Sequence, residues 1–254
     1  MRRAAALLFL LAAAARAQEP LITDRPDFTE SAETVPPGRF QLEAGVTHER
    51  VGEGDVDLTT FGEALLRIGV AERLELRVGL PSFGRVEFGG DSLSGWTDGS
   101  LGVKWKLAAL PAGRGGRGGL DLALLAGTSA PSGDNDFTSD AWEPEVKLAA
   151  ATTLTERAGL SGNLGWARAA AFDERFDRYS GSLALGLTWS DRLGSYFEVF
   201  GFDGEEPFEG SSSFANSGFT WLLSDDLQLD LRVGTGLGDS EPEWFVGAGF
   251  GARF

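Results

Sequence analysis

Three stretches set the rhythm of the chain. In LELRVGL, Leu74, Leu76, Val78 and Leu80 share one parity, and Glu75, Arg77 and Gly79 take the other. In LQLDLRVGTG, Leu227, Leu229, Leu231 and Val233 oppose Gln228, Asp230, Arg232 and Gly234. In LGVKWKL, Leu101, Val103, Trp105 and Leu107 oppose Lys104 and Lys106. A period of two places successive side chains on opposite faces, so each stretch predicts a strand with one apolar and one polar face. Beyond the first residues, no stretch keeps a helical period.

The connections alternate between short and long. Ala71-Glu72-Arg73-Leu74, Thr155-Glu156-Arg157-Ala158, Ser190-Asp191-Arg192-Leu193 and Ser224-Asp225-Asp226-Leu227 share the order small, acid, charged, apolar, and the last three recur about every 34 residues. A longer connection, Ala108 to Gly118, carries GRGGRGG. The opposite ends are joined by acidic, glycine-rich loops at Pro81 to Ser94, Pro131 to Glu143, Arg168 to Asp177, Asp203 to Ser213 and Gly238 to Glu243. Short turns at one end and long loops at the other are the layout of a transmembrane, antiparallel up-and-down β-barrel. About twelve strands are expected, starting near Arg39, Leu58, Leu74, Thr97, Leu120, Glu145, Leu160, Tyr179, Tyr196, Ala215, Leu227 and Trp244.

A secreted β-sandwich would alternate too, so the position of the large residues has to discriminate. Trp105, Trp166, Trp189, Trp221 and Trp244 fall on the apolar parity near strand ends, where a barrel puts its interfacial aromatic girdles. The other parity carries Arg67, Arg77, Lys104, Lys106, Glu145, Lys147, Asp230 and Arg232 with many glycines and serines, which suits a narrow, wet lumen.

Composition adds the compartment. Arg2 and Arg3, an apolar run from Ala4 to Ala15, and Ala15-Arg16-Ala17 describe a secretory signal peptide over residues 1–17. Its removal takes three arginines and no acids, moving the formal charge from −16 to −19, and such a chain repels nucleic acid. The chain has no cysteine, so an exported protein must be held together by other means. A polar, proline-rich segment follows over residues 18–37, and the barrel is expected over residues 38–254.

The final strand reads WFVGAGFGARF, with Trp244, Val246, Ala248, Phe250, Ala252 and Phe254 on the lipid parity. A terminal aromatic there resembles the assembly signal of bacterial outer-membrane barrels. ITDRPDFTES (Ile22 to Ser31), VPPGRFQLEAG (Val35 to Gly45), LLSDDLQLDLRVGTGL (Leu222 to Leu237) and this ending together resemble one family of bacterial outer-membrane proteins. Its label ties it to transport and to the meta-pathway of phenol degradation. The resemblance implies an outer-membrane barrel with a transport-like role, and aromatic solutes enter through the label alone.

Candidate chemistry is sparse. His48, the sole histidine, lies on the lipid parity of Phe40, Leu42, Ala44 and Val46 with no serine-centred motif beside it. Asp134, Asn135, Asp136 and Asp140 lack the glycine and final glutamate of an EF-hand loop. Gly234-Thr235-Gly236 has no following helix and reads as a strand end, and Arg114 and Arg117 read as a periplasmic turn. Loop acids Asp203, Glu205, Glu206, Glu209, Asp239, Glu241 and Glu243 predict a negative outer rim. The solute pathway is expected along Glu63, Arg67, Glu75, Arg77, Lys104, Lys106, Glu145, Lys147, Asp230 and Arg232. The segment before the first strand carries Asp24, Arg25, Asp27 and Glu30 and prolines at 20, 26, 36 and 37, which exclude a regular wall strand. It is either a plug pairing with the inward cations or a periplasmic leader.

The expected protein is a monomeric outer-membrane channel or transporter-like barrel for small molecules, without enzymatic activity, cofactor or metal. Its expected partners are outer-membrane lipid and lipopolysaccharide, the assembly machinery and a small-molecule solute. The other classes are an outer-membrane lipid or ester hydrolase and a structural or adhesive barrel.

Overall fold

The alternating segments pair into one antiparallel ladder that returns to its own start. The computed structural model describes residues 19–52, 56–111, 118–172, 174–204, 210–238 and 242–254. The expected signal peptide, Arg114 and Arg117, and Glu205, Glu206, Glu209, Asp239 and Glu241 lie outside the described residues.

The strands are β1 (Phe40–Val51), β2 (Val56–Ala71), β3 (Leu74–Gly79), β4 (Phe83–Phe88), β5 (Asp91–Trp96), β6 (Gly99–Leu110), β7 (Leu120–Ala130), β8 (Glu143–Thr155), β9 (Ala158–Ala171), β10 (Glu174–Thr188), β11 (Leu193–Asp203), β12 (Ser212–Ser224), β13 (Leu227–Gly236) and β14 (Trp244–Arg253). β1 pairs with both β2 and β14, so a wall of twelve strands closes as β1-β2-β3-β6 and onward in order to β14. Closure removes the unpaired sheet edges, the condition for β structure in a bilayer. Phe254 adds its own clasp: its N–H donates to Phe40 O at 2.7 Å, and its carbonyl accepts from Phe40 N at 3.2 Å.

β4 and β5 correct one expectation. Pro81 to Ser94 belongs to a hairpin that prolongs β3 and β6 past the wall, not to an irregular loop. β2 is 16 residues long; its later half pairs with β3 and its earlier half, Val56 to Phe61, with β4. Pro81 lacks an N–H and breaks the ladder between β3 and β4. Gly89 and Gly90, with φ of +56° and +92°, supply the left-handed pair that a two-residue hairpin turn needs. Gly84 and Gly95 leave room for the Phe137 ring from the loop after β7: a Cβ at either would come within 2.7 or 2.6 Å of it. The expected loop from Arg168 to Asp177 is likewise mostly ladder, since Ala171 already pairs with Glu174.

The two faces divide as the alternation dictates. Leu101, Trp105, Leu164, Phe197, Val199, Phe219, Trp221 and Leu231 are exposed on the outside. Trp105, Trp189 and Trp221 lie toward the short turns, and Trp142, Trp166 and Trp244 toward the long loops, giving two girdles. Inside, the largest fully buried side chains are mostly polar: Arg67, Lys104, Gln41, Glu43, Glu75 and Thr47. A small apolar cluster of Ala32, Ala123, Leu125 and Ala149 is the only such core among the described residues.

Candidate functional site: the lumen and the segment within it

Residues 19–39 precede β1, and their middle part lies inside the barrel while Glu19, Pro20 and Pro36 to Gly38 are exposed at its rim. Their prolines keep them out of any ladder, so their polar groups must find side chains of the wall. The path is a loop with both ends at the short-turn rim. Leu21 N–H donates to Asp225 O at 2.8 Å and the Arg253 guanidinium donates to Glu19 O at 2.7 Å, anchoring the entry. The chain then climbs along β13 and β14: Gln228 Nε2 donates to Thr23 Oγ1 at 2.7 Å, and Arg232 donates to Pro26 O at 3.2 Å. It turns near Phe28, where Glu198 accepts from the N–H groups of Phe28 and Thr29 at 2.9 and 2.6 Å. It returns past Asn163, which accepts from Glu30 N–H at 2.7 Å and donates to Glu30 O at 3.0 Å. The exit passes β2 and β3: Val35 N–H donates to Glu75 at 2.8 Å, and Gly38 N–H to Gly69 O at 2.8 Å.

Charge pairs concentrate on one side. Asp24 accepts from Lys104 Nζ through both oxygens, at 2.9 and 2.8 Å, and from Arg77 at 2.6 Å. Arg67 lies 3.4 Å from Asp24 and donates to Glu43 at 2.8 Å and to Glu75 at 2.8 and 3.0 Å. Glu30 bridges Arg77, at 2.6 Å, and Lys147, while Glu33 pairs with Lys106. Arg25 runs the opposite way, from the segment to Glu63 at 2.7 Å and Asp230 at 3.5 Å on the wall. Burial alone would raise the pKa of Asp24, yet Arg67, Lys104 and Arg77 outweigh it and hold the carboxyl well below its usual range. The same opposition, with Lys147 and Arg77 prevailing over burial, brings Glu30 to about 2. Asp27 has no such partner; burial first, then the Glu198 charge, push its carboxyl well above the usual range.

The sequence-derived pathway residues do not form one set. Arg67, Glu75, Arg77 and Lys104 meet around Asp24, and Lys106 stands below them with Glu33 and Asp121. Glu63 lies away from them: the β1–β2 bulge gives it a left-handed φ of +37° and turns it toward Arg25 and Arg232. Glu145 shares a cavity with Lys147 and Arg178 near the long loops. Asp230 and Arg232 face the climbing limb. His48 sits on the outer wall, its Nδ1 2.9 Å from Thr59 Oγ1 and its ring tilted against Trp244. Among the described residues, no group of three or more acids and histidines is placed to hold a metal ion.

Sequence reasoning passed over Gln41, Glu43, Asn163, Glu198 and Asn216, and placed Gln228 on the polar parity without assigning it to the pathway. All lie on the polar parity of their strands, so the signal existed; what singled them out was the segment opposite. It also missed an inward aromatic cluster near the long-loop end. Phe200 stacks on Phe28 at 4.8 Å between centroids and 14°, and on Phe214 at 4.9 Å and 20°. Between the segment and β7–β13 there remains a lumen cavity of about 520 Å³, lined by Asp27, Asp121, Tyr196 and many small residues.

A closed antiparallel wall, apolar outside between two tryptophan girdles and charged within, defines a transmembrane β-barrel of the bacterial outer-membrane type. The chain belongs to the family described as "Putative MetA-pathway of phenol degradation", whose model matches residues 23–254. In fold it is similar to an outer membrane channel from Pseudomonas putida F1, with a TM-score of 0.67 at 17% identity over 88% of this chain and 98% of that one. It is also similar to the NanC porin, with a TM-score of 0.50 at 6% identity over 83% and 98%. No curated protein matches the chain in sequence.

Proposed function

We propose that this barrel passes small molecules across the outer membrane and that its N-terminal segment, residues 18–37 in the sequence reading, is the plug that closes it. One observation carries this: both limbs of the segment leave at the short-turn rim, while its tip is held inside by side chains and not by ladder pairing. Such a loop can leave the lumen with the wall intact. The contacts that hold it are charge pairs, hydrogen bonds and the packing of Phe28, all noncovalent, so release breaks no bond of the chain.

The family name supports aromatic compounds as the solutes, and a twelve-stranded wall has room for small ones only. Outer-membrane lipid and lipopolysaccharide meet the apolar face and its girdles. A hydrolase acting within the lumen is disfavoured because His48, the sole histidine, faces outward beside Thr59. No step of passage calls for a cofactor.

The test is single-channel conductance of the intact protein and of a variant lacking Asp24 to Thr34. The variant should conduct several-fold more at normal membrane insertion. An equal conductance would overturn the plug, and a silent variant would overturn the channel.

A further inference from the structure

At the tip of the in-lumen segment, aromatic packing joins the hydrogen bonds to the Glu198 carboxylate. Phe28 lies against an aromatic box built from the outer ends of β11 and β12. Its ring stacks on Phe200, which stacks in turn on Phe214. Phe202 stands edge-on to all three, with centroids 5.2 Å from Phe28, 6.2 Å from Phe200 and 6.4 Å from Phe214 and interplanar angles of 81°, 86° and 70°. Face-to-face on one side and edge-to-face on another is the environment that selects a planar ring over an aliphatic one of equal size. Phenylalanines pointing inward on a wall whose large apolar residues mostly face lipid need a reason inside the lumen.

Two cations border the box. Lys147 Nζ lies 5.4 Å from the Phe28 centroid, and the Arg178 guanidinium 5.9 Å from that of Phe202. Lys147 is already paired with Glu30. Arg178 is half-buried, and among the described residues no carboxylate pairs with it; the adjacent Asp177 is taken by Arg168 at 3.1 Å. A cavity of about 90 Å³ opens between Phe28, Phe202, Lys147 and Arg178, with Glu145 on its rim. Glu145 sets a cost for any anion there, which the Arg178 and Lys147 cations have to outweigh.

We propose that Phe28 is the resident occupant of a binding site for an aromatic carboxylate. The ligand's ring replaces that of Phe28 on Phe200 and against the edge of Phe202, and its carboxylate takes the guanidinium of Arg178. Glu198 keeps its bonds to the Phe28 and Thr29 N–H groups, so displacement first frees the side chain of the tip and not its backbone. Arrival of the solute thereby loosens the plug from the long-loop side. This consequence rests on the channel-and-plug reading; the binding itself does not.

The probe is benzoate, titrated by calorimetry into the full-length protein in detergent, with cyclohexanecarboxylate and benzyl alcohol as controls. Benzoate should bind, and each control should bind roughly tenfold more weakly, the loss of one aromatic or one cationic contact. Phe28→Ala should tighten benzoate roughly tenfold, because a competing occupant is removed. Phe28→Leu, which keeps apolar bulk, should tighten it less. Arg178→Gln should weaken benzoate roughly tenfold and leave benzyl alcohol unchanged. Equal binding of benzoate and cyclohexanecarboxylate, or weaker binding to Phe28→Ala, would overturn the proposal. Potassium chloride conductance of the same preparations separates the two readings. A conducting barrel that ignores benzoate loses the aromatic site and keeps the channel. A barrel that binds benzoate as described but stays silent without Asp24 to Thr34 keeps the site and loses the channel.

Discussion

Asp24 and Lys104 stand 80 residues apart in the chain, yet both oxygens of the one accept from the ammonium of the other, at 2.9 and 2.8 Å. Both are almost wholly buried, and Arg67 and Arg77 crowd the same carboxylate. One acid on the segment thus faces three cations on β2, β3 and β6. The wall acids Glu43 and Glu75 complete the balance from the other side of Arg67.

Asp24→Asn should therefore unseat the segment without harming the wall. Removing one member of a buried charge pair costs about 3–5 kcal/mol, because the remaining charges stay desolvated. The loss falls on docking, since the ladder pairing of β2, β3 and β6 does not involve Asp24. Hydrogen exchange should show faster exchange at the Asp24 and Val35 amides with wall amides unchanged. Slow exchange throughout would show that the pair does not hold the segment.

Acid should release the plug in a defined window. The carboxyl of Glu30 falls from 4.5 to about 2 on docking, and that of Asp24 is also lowered. A depressed acid contributes stability that is full above its undocked value and is lost as pH falls through its docked one. Asp27 works the other way: its raised carboxyl favours docking as pH falls from neutral, so conductance should not increase until pH drops below 4.5 and should then rise progressively as pH approaches 2. A flat profile across that interval would contradict this linkage.

Gly69 is where the exit limb touches the wall most closely. A Cβ there would lie 2.0 Å from Pro36 O and 2.4 Å from Val35 O. Both are backbone atoms, so the limb itself must move; overpacking of this kind costs about 1–3 kcal/mol. Gly69→Ala should raise conductance at normal insertion, whereas Gly210→Ala, with nothing within 4 Å of its Cβ, should not. Equal behaviour of the two would show that the limb yields without opening the lumen.

Asp98 locks the outer hairpin to the loop after β7. It accepts from the N–H groups of Ser132 and Gly133 at 2.9 Å each and of Ser139 at 3.1 Å. These bonds, prevailing over modest burial, lower its pKa. Asp98→Ala should speed proteolysis within residues 131–142 several-fold and leave the β-sheet circular dichroism of the barrel unchanged. Unchanged cleavage would assign the fixing of that loop to Phe137 between Gly84 and Gly95.

The sequence by itself determined the wall. The parity of Leu74, Leu76 and Val78 against Glu75 and Arg77 is a local property, because a strand presents successive side chains to opposite faces whatever surrounds it. The two-residue turns at Glu72-Arg73 and Asp225-Asp226 are equally local, and with the girdle tryptophans they gave twelve strands and both faces. Parity was less able to say where a strand ends. The Pro81 break was legible as an interruption, but the resumption of pairing at Val56↔Phe88 depends on the unusual length of β2.

What fills the lumen was decided only in three dimensions. Alternation assigns a side chain to the inside and is silent about its partner there. Glu198 meets Thr29 across 169 positions and Asn163 meets Glu30 across 133, separations over which no sequence period operates. Phe200, Phe202 and Phe214 run against the apolar-outside rule, and they make sense only once Phe28 stands opposite them. Closure of the wall brings those distant faces within a few ångströms of each other, and the segment folded between them selects which inward residues become a site.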